Sequence, residues 1–357
     1  MRILYGVTGE GMGHATRSKV ILTHLTGQGH EIKIVVSGRA HAYLKRHFPD
    51  VEEIHGLHIA YEDNAVKRRR TAWELLKELP EGARRNFEKF LDISDSFKPE
   101  VVISDFESFS YYFGKEKRLP VISIDNMQVL NRCDLEVEIP KAEMADFRIA
   151  KNVVKAKLPG CFHYLVTSFF FPKVRKKNTS LYPPILRDEI LAAKPEPGEH
   201  ILVYQTSTSN TELVPVLQSM KEHRFYVYGL RRDEDCGNVQ LRDFSETRFV
   251  DDLASSRAVL AGGGFSLMGE AVYLGKPMFS VPVQHQFEQV LNALYLEKYG
   301  YGEYHRGLEP AAIKTFLGKV DGYARNLERH QQEGNRLIFA ALDRLVVAAA
   351  AEGKKGR

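Results

Sequence analysis

The chain has 357 residues, of which 43% are apolar and 27% charged, and its formal net charge is +4. This length suits two globular domains of about 150–180 residues each. The modest charge and ordinary composition argue against a nucleic-acid-binding protein or a disordered chain.

The N-terminal segment has the pattern of a parallel α/β unit. We expect a buried strand, a glycine loop, a helix with one apolar side and a second strand, at Ile3–Val7, Thr8–His14, Ala15–Gly27 and Glu31–Val36. A strand–loop–helix–strand unit of this kind opens a parallel sheet with helices on its faces.

The same alternation continues along the chain. A helix is predicted over Thr71–Phe97 with an interruption at Pro80, and helical sequence over Ala311–Ala351. Further strands are predicted at Val101–Ser104, Val121–Ile124, Ile201–Tyr204, Arg224–Tyr228, Val259–Ala261 and finally Met278–Val281, which closes the series.

Between these halves lies Lys173–His200, a polar segment rich in lysine and proline that we interpret as the interdomain connection. The predicted fold class is therefore α/β, with two doubly wound Rossmann-like domains facing across a cleft. The first is placed at residues 1–178 and the second at 179–357, with the terminal helix able to pack back on the first.

The first glycine loop does not fit a dinucleotide site. Gly9, Gly11 and Gly13 are followed by His14, where the dinucleotide fingerprint needs a glycine, and no acidic residue ends the second strand. What remains is a loop with little side-chain bulk, Gly11-Met12-Gly13, whose backbone N–H groups and helix start face the cleft. We assign this loop to the acceptor side.

The glycine loop and the helix after it resemble the N-terminal domain of GT-B glycosyltransferases. In the C-terminal half the similarity is to the bacterial peptidoglycan N-acetylglucosaminyltransferase and to UDP-glycosyltransferases. The matching segments there are Phe249–Ala254, Ala261–Ala271, Gly275–Pro277, Pro282–Gln289 and Asn292–Glu297. The resemblance implies a GT-B fold and transfer of a sugar from a nucleotide diphosphate.

Several donor-site roles follow from the resemblance. It implies that Gly262, Gly263, Gly264, Phe265 and Ser266 hold the diphosphate at a helix N-terminus, which physical reasoning supports. It also implies that Glu270 accepts hydrogen bonds from the ribose hydroxyls and that the Val250 backbone meets the base. The alternative for Glu270 is a solvated helix residue. Thr206, Ser207 and Thr208 could bind phosphate or cap a helix.

The donor sugar would be bound by Glu288 and Gln289, or these residues could simply begin a helix. Two departures from the family pattern are visible. Gly262 stands where many members have a histidine that contacts the diphosphate, and Glu288-Gln289 stands where Asp-Gln or Gln-Gln is common. Diphosphate binding would then depend on backbone and hydroxyl groups, and the sugar stays open.

For catalysis, His14 matches the general base of many family members, and Asp105 matches the aspartate that orients this histidine. Alternatives are helix capping or acceptor binding for His14, and an N-cap before Phe106–Phe113 for Asp105. The resemblance implies an inverting reaction. We expect no cofactor and no metal site, because the acidic run Asp233–Asp235 is interpreted as an exposed loop.

The acceptor is not identified by the sequence. Lys67–Arg70 and the basic run Lys173–Lys177 could contact an anionic membrane, as in relatives with lipid-linked acceptors, or could be solvated loops. Phe169–Phe171 is interpreted as a buried strand. Glycans and small molecules are equally open as acceptors.

Three features of the sequence indicate a cytoplasmic enzyme. The three cysteines are scattered, the N-terminus lacks the pattern of a signal peptide, and no apolar run approaches the roughly 20 residues of a membrane span. The cysteines are Cys133, Cys161 and Cys236. Peripheral contact with the inner membrane face is compatible with this location. A UDP-sugar epimerase on the same fold and a non-catalytic nucleotide-sugar binding protein are the alternative functions.

Overall fold

The computed structural model describes residues 1–9, 11–56, 81–196, 198–205 and 212–355, together with the backbone of residues 61–62 and 65–66. Within these residues the chain forms two seven-stranded sheets and one short antiparallel pair of strands.

The first sheet belongs to the N-terminal half. In chain order the strands of this half are β1 (Arg2–Val7), β2 (Glu31–Val36), β3 (Val51–Glu53), the short pair β4 (Tyr61–Glu62) and β5 (Ala65–Val66), β6 (Val101–Asp105), β7 (Val121–Asp125), β8 (His163–Thr167) and β9 (Thr179–Tyr182). The sheet order is β3-β2-β1-β6-β7-β8-β9, with every neighbouring pair parallel. Burial on both faces explains the continuous apolar runs of its central strands.

The second sheet repeats this plan. Its strands are β10 (His200–Tyr204), β11 (Arg224–Tyr228), β12 (Glu234–Cys236), β13 (Val239–Arg242), β14 (Ala258–Ala261), β15 (Met278–Ser280) and β16 (Gly302–Tyr304). The order is β12-β13-β11-β10-β14-β15-β16, and only the edge strand β12 is antiparallel to its neighbour.

Helices cover both sheets. In the first half they are α1 (Met12–Gly27), α2 (Arg39–Lys45), α3 (residues 81–92, continued by a π-helical turn at Ile93–Phe97), α4 (Ser108–Glu116), α5 (Val129–Arg132) and α6 (Met144–Lys157). The rest are α7 (Asp188–Ala192), α8 (Leu213–Gln218), α9 (Glu246–Ala254), α10 (Phe265–Tyr273), α11 (Phe287–Lys298), α12 (Pro310–Leu317), α13 (Val320–Leu327) and α14 (Arg336–Lys355).

The C-terminal helix α14 returns to the first sheet. Ile338, Leu342 and Val346 are buried in the same apolar cluster as Ile3 and Tyr5 of β1. The last helix of the chain therefore completes the core of the N-terminal half, and the two ends of the chain are packed together.

The two sheets present their carboxyl ends to each other. In the first sheet, β1 lies between β2, which follows it in the chain, and β6 on its other side. In the second sheet, β10 lies in the same way between β11 and β14. Parallel sheets bind ligands in the crevice at such a switch point. The predicted fold class, two doubly wound Rossmann-like domains facing across a cleft, is confirmed.

Several local predictions need correction. Met278–Val281 does not close the series, because β16 follows it, and the predicted connection Lys173–His200 contains β9 and α7. The strand β9 begins directly after residue 178 and pairs with β8 of the first sheet. Strands of three or four residues are too short to show a recognisable periodicity.

Two interpretations of side-chain runs also change. The acidic run Asp233–Asp235 is exposed, as expected, but its last two residues belong to the edge strand β12. Phe169 and Phe170 are buried directly after β8 rather than in a strand, and Phe171 is exposed. Of the helix predicted over Thr71–Phe97, the part before residue 81 lies outside the described residues. Cys133, Cys161 and Cys236 are free thiols.

Candidate active site

His14 and Asp105 meet at the switch point of the first sheet. Asp105 ends β6 beside Val7 of β1, and His14 lies in the first turn of α1, directly after β1. Nδ1 of His14 is 2.8 Å from Oδ1 of Asp105. The carboxylate is fully buried, while the histidine side chain is 19% exposed. The imidazole is therefore held from behind and open on one side.

Asp105 is not the N-cap of the following helix. That position is taken by Glu107, whose carboxylate accepts hydrogen bonds from the backbone N–H groups of Phe109 and Ser110 at 2.6 Å each. Asp105 instead accepts from Ser18 Oγ at 2.9 Å and from Arg17 Nε at 2.8 Å. The N-cap alternative for Asp105 is therefore wrong.

Arg17 is the residue of this cluster that the sequence analysis missed. It lies one helical turn after His14, and its Nη2 contacts both Asp105 and His14 Nδ1, the latter at 2.7 Å. Burial would raise the pKa of Asp105, but the charge of Arg17 and the contact with His14 hold that pKa well below its usual range. Burial works against the charge of Arg17, yet Asp105 outweighs it and raises the pKa of the guanidinium. The spacing of three residues on a helix was the available signal.

A chain of hydrogen bonds leads from this cluster to the other side of the cleft. Arg17 Nη1 donates to Asn126 Oδ1 at 2.7 Å, and Asn126 Nδ2 donates to Oε1 of Glu288 on α11 at 2.5 Å. Glu288 is a predicted sugar-binding residue, and it is half-buried at the cleft. The predicted catalytic pair and this residue thus belong to one polar network.

The second glycine loop follows β14 at the switch point of the second sheet. Gln289 braces it, since Oε1 of its side chain accepts from Gly263 N–H and from Val283 N–H at 3.0 Å each. A Cβ added at Gly263 would lie 2.2 Å from the backbone oxygen of Gln289, so glycine is required there by close approach. The side-chain oxygen of Gln289 is therefore engaged by the loop itself.

The start of α10 faces the first glycine loop. Ser266 Oγ donates to the carbonyl oxygen of Gly13 at 3.3 Å, and a Cβ at Gly13 would lie 2.6 Å from the same hydroxyl. Phe265 is buried and stacks against Phe169 of the first half. The helix N-terminus, with its unpaired N–H groups and positive dipole end, is consequently close to His14.

There is open space beside the second glycine loop, Gly262–Gly264. A cavity of about 240 Å³ lies at the carboxyl ends of β10 and β14, lined by Gly262, Tyr204, Gln205, Glu212 and Arg306 among others. In the first loop, Gly11 is the N-cap of α1 in an extended conformation, and Met12 is exposed. Both glycine loops therefore border solvent-accessible space in the cleft.

Glu270 is buried in α10 and is not a solvated residue. Its carboxylate receives two hydrogen bonds from Arg187, from Nε at 2.7 Å and from Nη2 at 2.9 Å. Burial raises the pKa of Glu270, and the charge of Arg187 opposes that rise. Val250, on α9, is also buried. Arg187 comes from the segment between the sheets and was not predicted as a partner.

Some predicted residues cannot be placed. Thr206, Ser207 and Thr208 and the basic run Lys67–Arg70 lie outside the described residues. Among the described residues no three His, Cys, Asp or Glu side chains cluster as metal ligands would. None of the helices in the described part of the chain has the length and apolar character needed to cross a bilayer.

Comparison with known proteins places this site in a family context. A family model described as glycosyl transferase family 1 matches residues 1–321. An uncharacterized glycosyltransferase of Methanosarcina acetivorans is 24% identical over 368 residues, covering 94% of this chain and 95% of that protein. One of Methanosarcina mazei is 25% identical over 336 residues, covering 85% of each.

Solved structures with a similar fold span nearly the whole chain. A calicheamicin glycosyltransferase superimposes with a TM-score of 0.65 at 16% identity and covers 98% of both chains. A spinosyn rhamnosyltransferase gives a TM-score of 0.60 at 15% identity, covering 97% of this chain and 100% of that one. At these identities the likeness concerns the fold alone.

Proposed function

The chain belongs to glycosyl transferase family 1 and is a glycosyltransferase of the GT-B fold, and we propose that it moves a sugar from a nucleotide diphosphate to an acceptor hydroxyl. UDP is the proposed nucleotide, and the reaction is inverting and needs no metal or cofactor. The observation that carries this proposal is the position of the His14–Asp105 pair directly across the cleft from the N-terminus of α10, with Gly13 and Ser266 in contact.

His14 is the proposed general base. Its Nδ1 faces Asp105, so Nε2 is left to take the proton of the acceptor hydroxyl as the acceptor oxygen attacks the anomeric carbon. The bond from that carbon to the phosphate oxygen breaks, and the nucleotide diphosphate leaves with the electron pair. Attack from the side opposite the leaving group inverts the configuration.

The leaving diphosphate would be stabilised by backbone groups. The N-terminus of α10 offers N–H groups at Phe265 and Ser266 after the loop Gly262–Gly264, and a helix N-terminus favours an anion. Thr206 and Ser207 would add hydroxyl groups. No charged side chain is required for this role at the position of Gly262.

The nucleoside would be held by Glu270 and Val250. A carboxylate has about four acceptor sites, and Arg187 uses two of those on Glu270. Two remain for the ribose hydroxyls, with Arg187 fixing the plane of the carboxylate. Glu288 would then bind the sugar, while Gln289 contributes by shaping the loop and through its remaining amide atoms.

The first experiment is ligand-induced thermal stabilisation with UDP, TDP, GDP and CDP. Binding to the folded protein raises the melting temperature. We expect a clear shift with UDP that Glu270→Ala abolishes and that the exposed-site control His47→Gln preserves. No shift with any nucleotide at millimolar concentration would contradict the proposed donor site.

Catalysis is tested separately by nucleotide release. With a UDP-sugar and an acceptor library, UDP release should depend on acceptor and should be lost in His14→Gln but kept in His47→Gln. A UDP-sugar epimerase would instead convert the donor without an acceptor. The family match and the similar structures do not favour that alternative.

For the acceptor, we propose peripheral contact with an anionic membrane through a basic surface of the first half. Burial lowers the pKa of Lys176, and so do the charges of Arg132, Arg175, Lys155 and Lys151, which indicates that these cations lie together. Lys176 and Arg175 also both donate hydrogen bonds to Asn131. Clustered cations at a surface attract anionic lipid headgroups.

Vesicle sedimentation tests this surface. Full-length protein should bind phosphatidylglycerol vesicles more than phosphatidylcholine vesicles, and Lys151→Glu with Lys155→Glu should reduce that binding. The matched control is Lys194→Glu with Lys221→Glu, two exposed lysines of the second half. Equal loss in both double variants would indicate only a net-charge effect, and no binding by the wild type would exclude the membrane proposal.

A further inference from the structure

We propose that Arg17 is a positioning residue, which holds the His14–Asp105 pair and Glu288 in fixed relation across the cleft. Its catalytic meaning rests on the function proposed above. The contacts themselves are properties of the free protein and can be tested without any transfer reaction.

The guanidinium of Arg17 is shared between Asp105 and Asn126. Nε donates to Asp105 Oδ2 at 2.8 Å, and Nη1 donates to Asn126 Oδ1 at 2.7 Å. Nη2 lies 2.7 Å from Nδ1 of His14, but in the proposed base that nitrogen carries the proton donated to Asp105 and cannot accept a hydrogen bond. A guanidinium is planar and its donors have fixed directions, so one side chain sets the orientation of the Asp105 carboxylate and of the Asn126 amide. Lysine, a single ammonium on a flexible stem, cannot reproduce this geometry.

Asn126 carries the geometry to the second half of the molecule. Because its amide oxygen accepts from Arg17, its NH₂ group must face Glu288, and Nδ2 donates to Oε1 of Glu288 at 2.5 Å. One oxygen of Glu288 is thereby fixed from the side of the catalytic pair. The other remains for a donor sugar.

The test is a pair of crystal structures of the free protein, wild type and Arg17→Lys. In Arg17→Lys the Asn126 amide loses its fixed donor, so the hydrogen bond from Asn126 Nδ2 to Glu288 Oε1 should be lost. Ser18→Ala, which removes a different donor to the Asp105 carboxylate, should keep that bond. An unchanged contact between Asn126 and Glu288 in the folded Arg17→Lys protein would overturn the proposal.

A second measurement covers the case in which Arg17→Lys does not fold, because Asn126→Ala breaks the same link. Arg17→Lys and Asn126→Ala should each weaken binding of UDP-glucose or UDP-N-acetylglucosamine by about tenfold, as for one lost hydrogen bond to a charged group, while UDP itself binds as in the wild type. Unchanged sugar-nucleotide binding in both variants would overturn the link to Glu288. If the wild type binds no nucleotide, the proposed function fails, and the structure of Arg17→Lys still decides the role of Arg17.

Discussion

Replacing Arg187 tests the buried ion pair that it forms with Glu270, the residue proposed to bind the ribose. The two side chains are only 11% and 8% exposed, and they share two hydrogen bonds of 2.7 and 2.9 Å. Arg187→Met leaves the carboxylate buried without its partner. Loss of one partner of a buried ion pair costs about 3–5 kcal/mol, so we expect the free energy of unfolding to fall by that amount at pH 8.

The penalty should depend on pH in a definite direction. Burial raises the pKa of Glu270 even with Arg187 present, and without the guanidinium it rises further. Between the unfolded and the folded pKa of this carboxyl, the folded state binds more protons, so stability falls as the pH rises through that window. The destabilisation by Arg187→Met should therefore be smaller at pH 5 than at pH 8.

Urea unfolding, followed by far-UV circular dichroism at pH 5 and pH 8, measures the free energy of unfolding of each variant. Glu270→Leu and the double variant complete a double-mutant cycle with Arg187→Met. An apolar pair of similar volume can replace a buried ion pair at little cost, so the double variant should be more stable than either single variant. Additive losses, or a loss under about 1 kcal/mol at both pH values, would refute the reasoning from a buried, coupled pair.

Three further predictions concern the loops and caps around the cleft. Gly263→Ala, whose Cβ would lie 2.2 Å from a backbone oxygen, should lower the free energy of unfolding in urea by about 3 kcal/mol. Gly264→Ala has open space at its Cβ and should lower it by no more than about 1 kcal/mol. Similar losses in the two variants would contradict the packing argument. Glu107→Ala removes the N-cap of α4 and should lower the unfolding free energy by about 1–2 kcal/mol, with a wild-type midpoint as the contrary result. The pKa of Asp105 is lowered in the folded protein, so its contribution to stability is present above the ordinary aspartate pKa and is lost as the pH falls. In Asp105→Asn the free energy of unfolding should therefore fall less steeply at acidic pH than in the wild type. An equally steep fall would contradict this prediction.

Much of the site was accessible from the sequence because its signals are local. Strand β2 spans Glu31–Val36 as predicted, and the glycine loop Gly262–Gly264 does lead into a helix, since an apolar run followed by small residues and a helix start needs only neighbouring residues to be recognised. The helix α1 begins at Met12, so the predicted loop, which ended at His14, was three residues too long.

Partners far apart along the chain were not accessible in the same way. Arg17 and Asp105 are separated by 88 residues, and Arg187 and Glu270 by 83. Nothing in the local pattern of Glu270 distinguishes a buried, paired carboxylate from a solvated one. The same holds for Gln289, whose part in bracing the glycine loop depends on how α11 is packed beside the loop that follows β14.

By itself, then, the sequence determined the alternation of strands and helices, the two glycine loops at strand ends and the pairing of His14 with Asp105 as a hypothesis, because these follow from local patterns and from the family likeness. Only the tertiary structure decided which charges are buried together, that α14 completes the first core, and that Arg17 and Asn126 join the His14–Asp105 pair to Glu288. Burial and hydrogen bonding arise between residues distant in sequence, and the folded packing alone brings those residues within contact distance.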